Sequence, residues 1–156
     1  MSEAILTSTL TIMAGVLIFV IGQLLLRFCI EPVHELRSYI GRITHLLIYH
    51  ADVYCNVGIA DKEQARIAAR EIRNCASDLL ARSSMVTWYR FWQRLRVVPE
   101  EDRVYAAHAE LIGLSNCVLG GEDDNVNVQY AAFNKARVKR IREHLRLAER
   151  VLSDMC

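Results

Sequence analysis

The chain opens on a block that is apolar on every side and continues in stretches that are apolar on one side only. From Ala4 to Leu26 run 23 residues without a charged side chain, rich in Leu, Ile, Val, Phe and Met. At ~1.5 Å rise per residue a helix of that length reaches ~34 Å, enough to cross a hydrocarbon core of about 30 Å. A soluble helix at the start of a chain has no use for an apolar surface all round. The block therefore reads as a transmembrane helix. A cleaved signal peptide fits less well, because it needs basic residues before a core of about 7–15 apolar residues and then a small-residue cleavage site. Here only Glu3 precedes the block, and Leu24-Leu25-Leu26-Arg27-Phe28 closes it.

Beyond the block, the apolar positions recur at the helical period. Glu31-Pro32 predicts a break and a restart, since proline suits a first helical turn and disfavours helix before it. Val33, Leu36, Ile40, Ile43, Leu47 and His50 then mark one face of a helix to about Tyr54. A turn follows, and Asp61 with Gln64 predicts a capping box. Ala65, Ala68, Ala69, Ile72, Cys75, Ala76, Leu79 and Leu80 form the next buried stripe. Their small size predicts close helix packing. The segment Trp88–Arg96 is stopped by Val97-Val98-Pro99. Glu100, Glu101 and Asp102 favour a new helix start through its dipole, and Val104, Ala107, Leu111, Leu114 and Val118 supply its stripe. Gly120-Gly121 ends that helix. A last one is expected from about Val128 to Leu152, burying Val138, Ile141, Leu145, Ala148 and Leu152.

No stretch alternates as a strand would. The expected fold is all-α: a transmembrane anchor over residues 1–28, then a cytoplasmic antiparallel bundle of about four helices over residues 29–156.

Charge gives this arrangement a direction. The first basic residues, Arg27, Arg37 and Arg42, all follow the span. The positive-inside rule then puts the N-terminus outside and the helical domain in the cytoplasm. Five cysteines without a C-x-x-C pair read as reduced cytosolic thiols, which agrees. The chain carries a net charge of only +1, but unevenly. Residues 62–98 hold eight basic and three acidic side chains (net +5), residues 99–125 one and seven (−6), and residues 126–156 seven and three (+4). Neighbouring helices of opposite sign are expected to compensate.

Three sets of residues could meet partners. Within the span, Ser8, Thr11, Gly15 and Gly22 form a small-residue face of the kind that lets membrane helices approach, which suggests a homo-oligomer. Trp88, Tyr89, Phe91 and Trp92 are interleaved with Arg90, Arg94 and Arg96. That mixture suits a helix lying on a bilayer, and equally aromatics plugging a core with arginines in solvent, or a partner contact. Lys135, Arg137, Lys139, Arg140 and Arg142 could meet phosphates, or form a solvated face.

Catalytic and metal chemistry finds little support. The five histidines form no metal signature, although His45, Tyr49 and Asp52 share a helix face. Asp123-Asp-Asn125-Val-Asn127 fails the calcium-loop pattern, with Val128 where Gly is needed and Asn134 where the bidentate Glu belongs. Phosphate-binding, dinucleotide-binding and hydrolase motifs are missing. No enzyme activity, cofactor, metal or nucleic-acid partner is expected.

The residues Glu31-Pro32, Arg37, Ile40-Gly41, Ile43, Leu47-Ile48-Tyr49, Ala51 and Tyr54, with Leu111-Ile-Gly-Leu-Ser-Asn116, resemble those of a group of small bacterial membrane proteins. That resemblance implies one span and a helical cytoplasmic region in a bacterial inner membrane; it carries no functional residue across. The expected function is that of a membrane-anchored binding or assembly module with an unidentified protein partner. The alternatives are a membrane effector or sensor docking through Trp88–Arg96 and, third, a membrane-tethered enzyme. In this reading Gly41 allows close helix approach, and Ser115 and Asn116 satisfy a helix end.

Overall fold

The computed structural model describes residues 2–56, 61–119 and 124–147 and contains only helices among them. They are α1 (Ser2–Leu25), a π-helical turn (Leu26–Ile30), α2 (Glu31–Tyr49), α3 (Ala51–Cys55), α4 (Lys62–Ser84), α5 (Tyr89–Arg94), α6 (Glu101–Leu119) and α7 (Asp124–Leu145). One described helix is long and apolar enough to cross a membrane. Its most apolar window has a mean hydropathy of 2.3 and is not buried anywhere by the rest of the chain.

The break expected at Glu31-Pro32 does not occur. The helix runs unbroken from α1 into α2, and only its hydrogen-bond register changes. Glu31 N–H reaches back five residues to the Leu26 carbonyl. Proline has no N–H, and its ring clashes with the carbonyl four residues earlier, here that of Phe28. A wider turn just before Pro32 absorbs that clash without a kink.

The amphipathic stripes land as the spacing predicts. Leu36, Ile43 and Leu47 of α2, Ala68, Ile72, Ala76 and Leu79 of α4, Ala107, Leu111 and Leu114 of α6, and Ile141 of α7 are fully buried in one cluster. Each such Leu or Ile contributes roughly 1.5–3 kcal/mol of apolar burial. Four local expectations fail. The first amphipathic helix turns at His50 instead of running to Tyr54, which swings α3 aside and lets Asn134 Nδ2 donate to the Tyr54 carbonyl at 3.0 Å. Asp61 caps α4 in backbone conformation only, its side chain making no capping hydrogen bond. Gly41 is exposed, with open space where a Cβ would stand, so it mediates no close approach. The last helix begins at Asp124 and stops at Leu145, where Arg146 turns left-handed. Ala148 and Leu152, expected on its buried row, lie outside the described residues, as do Gly120-Gly121.

Polar pairs fix how the helices lie together. Along α2 and α4 they step in opposite senses: Glu35 meets Arg82 at 3.1 Å, Tyr39 Oη donates to Asp78 at 3.0 Å, and His50 Nε2 meets Glu71 at 2.7 Å. Between α4 and α6, Arg73 donates to Asn116, and the His108 ring donates to the Ala76 carbonyl at 3.0 Å. Between α6 and α7, Glu100 approaches Arg146 at 3.9 Å while Glu110 takes Arg137 and Arg140. The end of α4, all of α5, the start of α6 and the end of α7 therefore gather near the start of α2, on the side where α1 departs. The opposite end holds His50, Tyr54 and Asn134.

Candidate functional site

The corner between α4 and α6 is the best-defined candidate. Val86 and Val98 are buried on either side of α5 and pin its ends. Tyr89 and Trp92 turn inward against the core, and Tyr89 Oη donates to the Pro99 carbonyl at 2.9 Å. Burial pushes the Tyr89 phenol up to about 12, so it stays protonated and keeps donating. Trp88, Phe91 and Leu95 point the other way and are 66%, 52% and 54% exposed. Phe91 and Leu95, four residues apart, share a helical face, and Trp88 is the exposed left-handed residue at the N-cap; together they form the apolar outer surface of the corner. The aromatics thus divide between the core and the surface, each set on its own face of a short helix.

Arginines flank that surface. Arg90, Arg94 and Arg96 of this corner join Arg146, at the end of α7, around a cavity of about 510 Å³ completed by Gln93 and Glu100. Glu100 is its only acid among the described residues, and that carboxylate already accepts from Arg103 at 3.1 Å. Arg90, Arg94 and Arg96 make no ion pair among the described residues. Four arginines against one glutamate leave the described part of the lining at a formal +3.

The backbone here is unusual. Trp88, Arg96 and Arg146 have φ of 54°, 57° and 54°, and no other non-glycine residue among those described has a positive φ. Both arginines occupy the position after a helix end that normally selects glycine. Around Arg96, Val97 N–H reaches the Trp92 carbonyl at 3.1 Å and Arg96 N–H the Gln93 carbonyl at 3.0 Å. Around Arg146, Leu147 N–H reaches the Arg142 carbonyl at 3.0 Å. These are the reversed bonds of a Schellman motif. Two strained arginines from helices far apart in sequence meet at one cavity.

The other anticipated residues fall elsewhere. Ser8, Thr11, Gly15 and Gly22 lie on α1, all exposed, and neither glycine has a neighbour where its Cβ would stand. Thr11 spends its hydroxyl on the Thr7 carbonyl at 2.9 Å. Of the basic face, Arg137 and Arg140 share the Glu110 carboxylate at 2.9 Å and 2.6 Å, which offsets one of their two charges. Hydrogen bonding from Arg140, with both arginine charges nearby, holds the Glu110 carboxyl below its ordinary value despite its burial. Gly113 makes this possible: a Cβ there would strike the Arg137 guanidinium. Lys139 is exposed, and Lys135 and Arg142 have partners of their own. Ser115 is buried and donates to the Ile112 carbonyl at 2.8 Å, whereas Asn116 accepts from Arg73.

A groove between α2 and α4 brings together Tyr39, His45, Tyr49, Glu71, Cys75 and Asp78. Burial raises the Cys75 thiol pKa and keeps it in the unreactive protonated form. Burial likewise drives the Tyr39 phenol far above its usual range, with Cys75 adding to it. No three His, Cys, Asp or Glu side chains among the described residues are arranged to hold a metal. Cys29, Cys75 and Cys117 are free thiols.

No family model, curated protein or solved structure matches the chain.

Sequence reasoning found the aromatic-basic segment but not its division, nor the contribution of Arg146. The spacing of Phe91 and Leu95 carried a signal for the exposed surface. The cavity had none, because Arg146 joins it only through the packing of α7 on α6.

Proposed function

We propose that this protein is a single-pass, non-catalytic membrane module: α1 spans a bacterial inner membrane, and an antiparallel bundle of about four helices docks on the bilayer surface through Trp88–Arg96. The observation that carries the reading is the exposed Trp88–Phe91–Leu95 stripe, at the end of the helical domain from which the wholly exposed helix Leu6–Phe28 departs. From Leu26 to Glu35, where Arg82 meets α2, nine residues span ~13 Å along the helix axis. Beyond Arg82, α4 continues to Ser84 in the direction of the start of α2. The headgroup layer on each side is about 5–7 Å thick, so the remaining gap is within reach of long side chains. Tethering makes this weak second contact effectively intramolecular.

The charge asymmetry of Arg27, Arg37 and Arg42 supports a cytoplasmic domain. Docking through α5 is the same on either side. Self-association through Ser8, Thr11, Gly15 and Gly22 accords with their open face and adds a second contact surface.

The test uses the full chain in nanodiscs containing phosphatidylcholine brominated near the headgroup end of its tails. Both tryptophans of the chain lie in this corner, so fluorescence reports on it alone. Strong quenching, mostly lost in Trp88→Phe, is expected. Emission unaffected by bromine would overturn docking.

A further inference from the structure

The same corner carries an assignment more specific than membrane contact, and it rests on the membrane-docked reading above. We infer that the cavity lined by Arg90, Arg94, Arg96 and Arg146 binds the phosphodiester of an anionic phospholipid, taken from the bilayer that α1 crosses.

Charge comes first. Four guanidinium groups surround one cavity, its one carboxylate among the described residues is engaged with Arg103 and Arg146, and three of the four arginines pair with no acid among those residues. Such a cluster repels itself unless an anion completes it. Guanidinium forks match the oxygens of a phosphate in pairs, which a lone ammonium cannot do. The volume, about 510 Å³, lies in the ordinary range for a small-molecule site and admits a glycerophosphate headgroup.

The backbone adds an independent observation. At Arg96 and Arg146 the chain adopts a conformation that glycine takes freely and arginine only at a cost. Neither helix end needs an arginine for its geometry, and each would be more stable without one. Residues held in sparsely populated backbone conformations cluster at ligand sites, where the side chain's position matters more than local stability. Here two of them, fifty residues apart in sequence, deliver their guanidinium groups to one cavity.

Position chooses the source of the phosphate. Trp88, Phe91 and Leu95 lie on the same six-residue helix as Arg90 and Arg94 or directly beside it, so on the docked reading a lipid would meet an apolar surface and an anion site together. A soluble phosphate would gain nothing from that stripe; a lipid engages both.

Full-length protein in a neutral maltoside detergent is titrated with dihexanoyl-phosphatidylglycerol, its phosphatidylcholine analogue and inorganic phosphate. Binding is read by tryptophan fluorescence and counted by native mass spectrometry. One phosphatidylglycerol should bind saturably, at least tenfold tighter than the other two and more weakly as salt rises. Arg90→Gln/Arg94→Gln removes two surface charges and should weaken it roughly 30-fold while leaving the helical spectrum intact. Arg96→Gly keeps the backbone turn and should weaken it about fivefold with no loss of thermal stability.

Equal binding of phosphatidylcholine, or wild-type affinity in the double variant, would overturn the site. Inorganic phosphate bound as tightly as the lipid would reassign it to a soluble anion, and a short single-stranded oligonucleotide bound more tightly than the lipid would reassign it to nucleic acid. Bromine quenching in neutral nanodiscs without a preference for phosphatidylglycerol would refute this site and leave docking standing. Absence of quenching would refute docking itself.

Discussion

Replacing Arg96 and Arg146 by glycine should make the protein more stable, although each substitution deletes a side chain and a charge. Both residues follow the last turn of a helix with φ near 55°, inside the region that an L side chain enters only against steric resistance. That resistance is worth roughly 1–2 kcal/mol per residue. Glycine removes it, but gives back about 0.4–1 kcal/mol because the unfolded chain becomes freer. The balance is a gain of about 0.5–1 kcal/mol at each site. The double variant should gain about 1–2 kcal/mol if the two add. At ~2–4 °C per kcal/mol for a chain of this size, its melting midpoint rises by about 3–6 °C. The assay is thermal unfolding of the full chain in detergent, followed by circular dichroism. Leu95→Gly is the internal control. Leu95 sits one residue before Arg96 at φ −75° and ψ 0°, a right-handed conformation in which glycine only adds unfolded-state entropy. It should destabilise by about 0.5–1 kcal/mol. Opposite signs at adjacent positions would test backbone conformation itself, independent of composition. If Arg96→Gly and Leu95→Gly shift the midpoint in the same direction, the left-handed turn is wrong, and with it the argument that Arg96 is kept for its side chain.

Two further outcomes follow from individual contacts. Glu110, 18% exposed, accepts three charge-assisted hydrogen bonds from Arg137 and Arg140, so Glu110→Gln should cost about 1–2 kcal/mol at neutral pH, read as a lower denaturation midpoint. Its pKa is lowered on folding, so this stabilisation is complete above the ordinary glutamate value near 4.5 and is lost as pH falls through the folded value; the gap between wild type and variant should close on acidification, and a gap constant with pH would contradict the pairing. Cys117 is the partly exposed free thiol among the described residues, so a membrane-impermeant maleimide applied to sealed inverted vesicles should label it; labelling from the periplasmic face instead would reverse the orientation.

The stripes of α2, α4 and α6 were legible because burial and helical period coincide there: Leu36, Ile43, Ile72, Leu79, Leu111 and Leu114 are each both periodic and fully buried. What stayed hidden depends on partners distant in sequence or on hydrogen-bond register. Pro32 predicts a break, yet a single π turn accommodates it, and no side chain advertises that choice. The ends of α5 and α7 lack the glycine that would have marked them, so α7 was expected to run on past Leu145. The basic face of α7 looked available in sequence. It is partly answered by Glu110, whose reach depends on Gly113 leaving room for Arg137. Compensation between helices was thus foreseeable from the charge sums, but not the place where it fails, at Arg90, Arg94 and Arg96.

The unbroken passage from α1 to α2 ties these features together mechanically. A loop between span and bundle would let the domain tumble, and each docking event would then have to offset the lost rotational freedom. With α1 in a bilayer, as proposed, a continuous helix through the π turn would hold the start of α2 at a set distance below it. The pairs Glu35–Arg82 and Tyr39–Asp78 carry that placement across to α4, and Val86, Val98 and Tyr89 carry it on to α5. The corner is therefore presented in advance, and a stripe of three apolar side chains, too small to bind a membrane from solution, suffices once held there. Inserting a flexible Gly-Ser segment between Ile30 and Glu31 would leave span and bundle intact. On this argument it would nonetheless abolish most of the bromine quenching at Trp88.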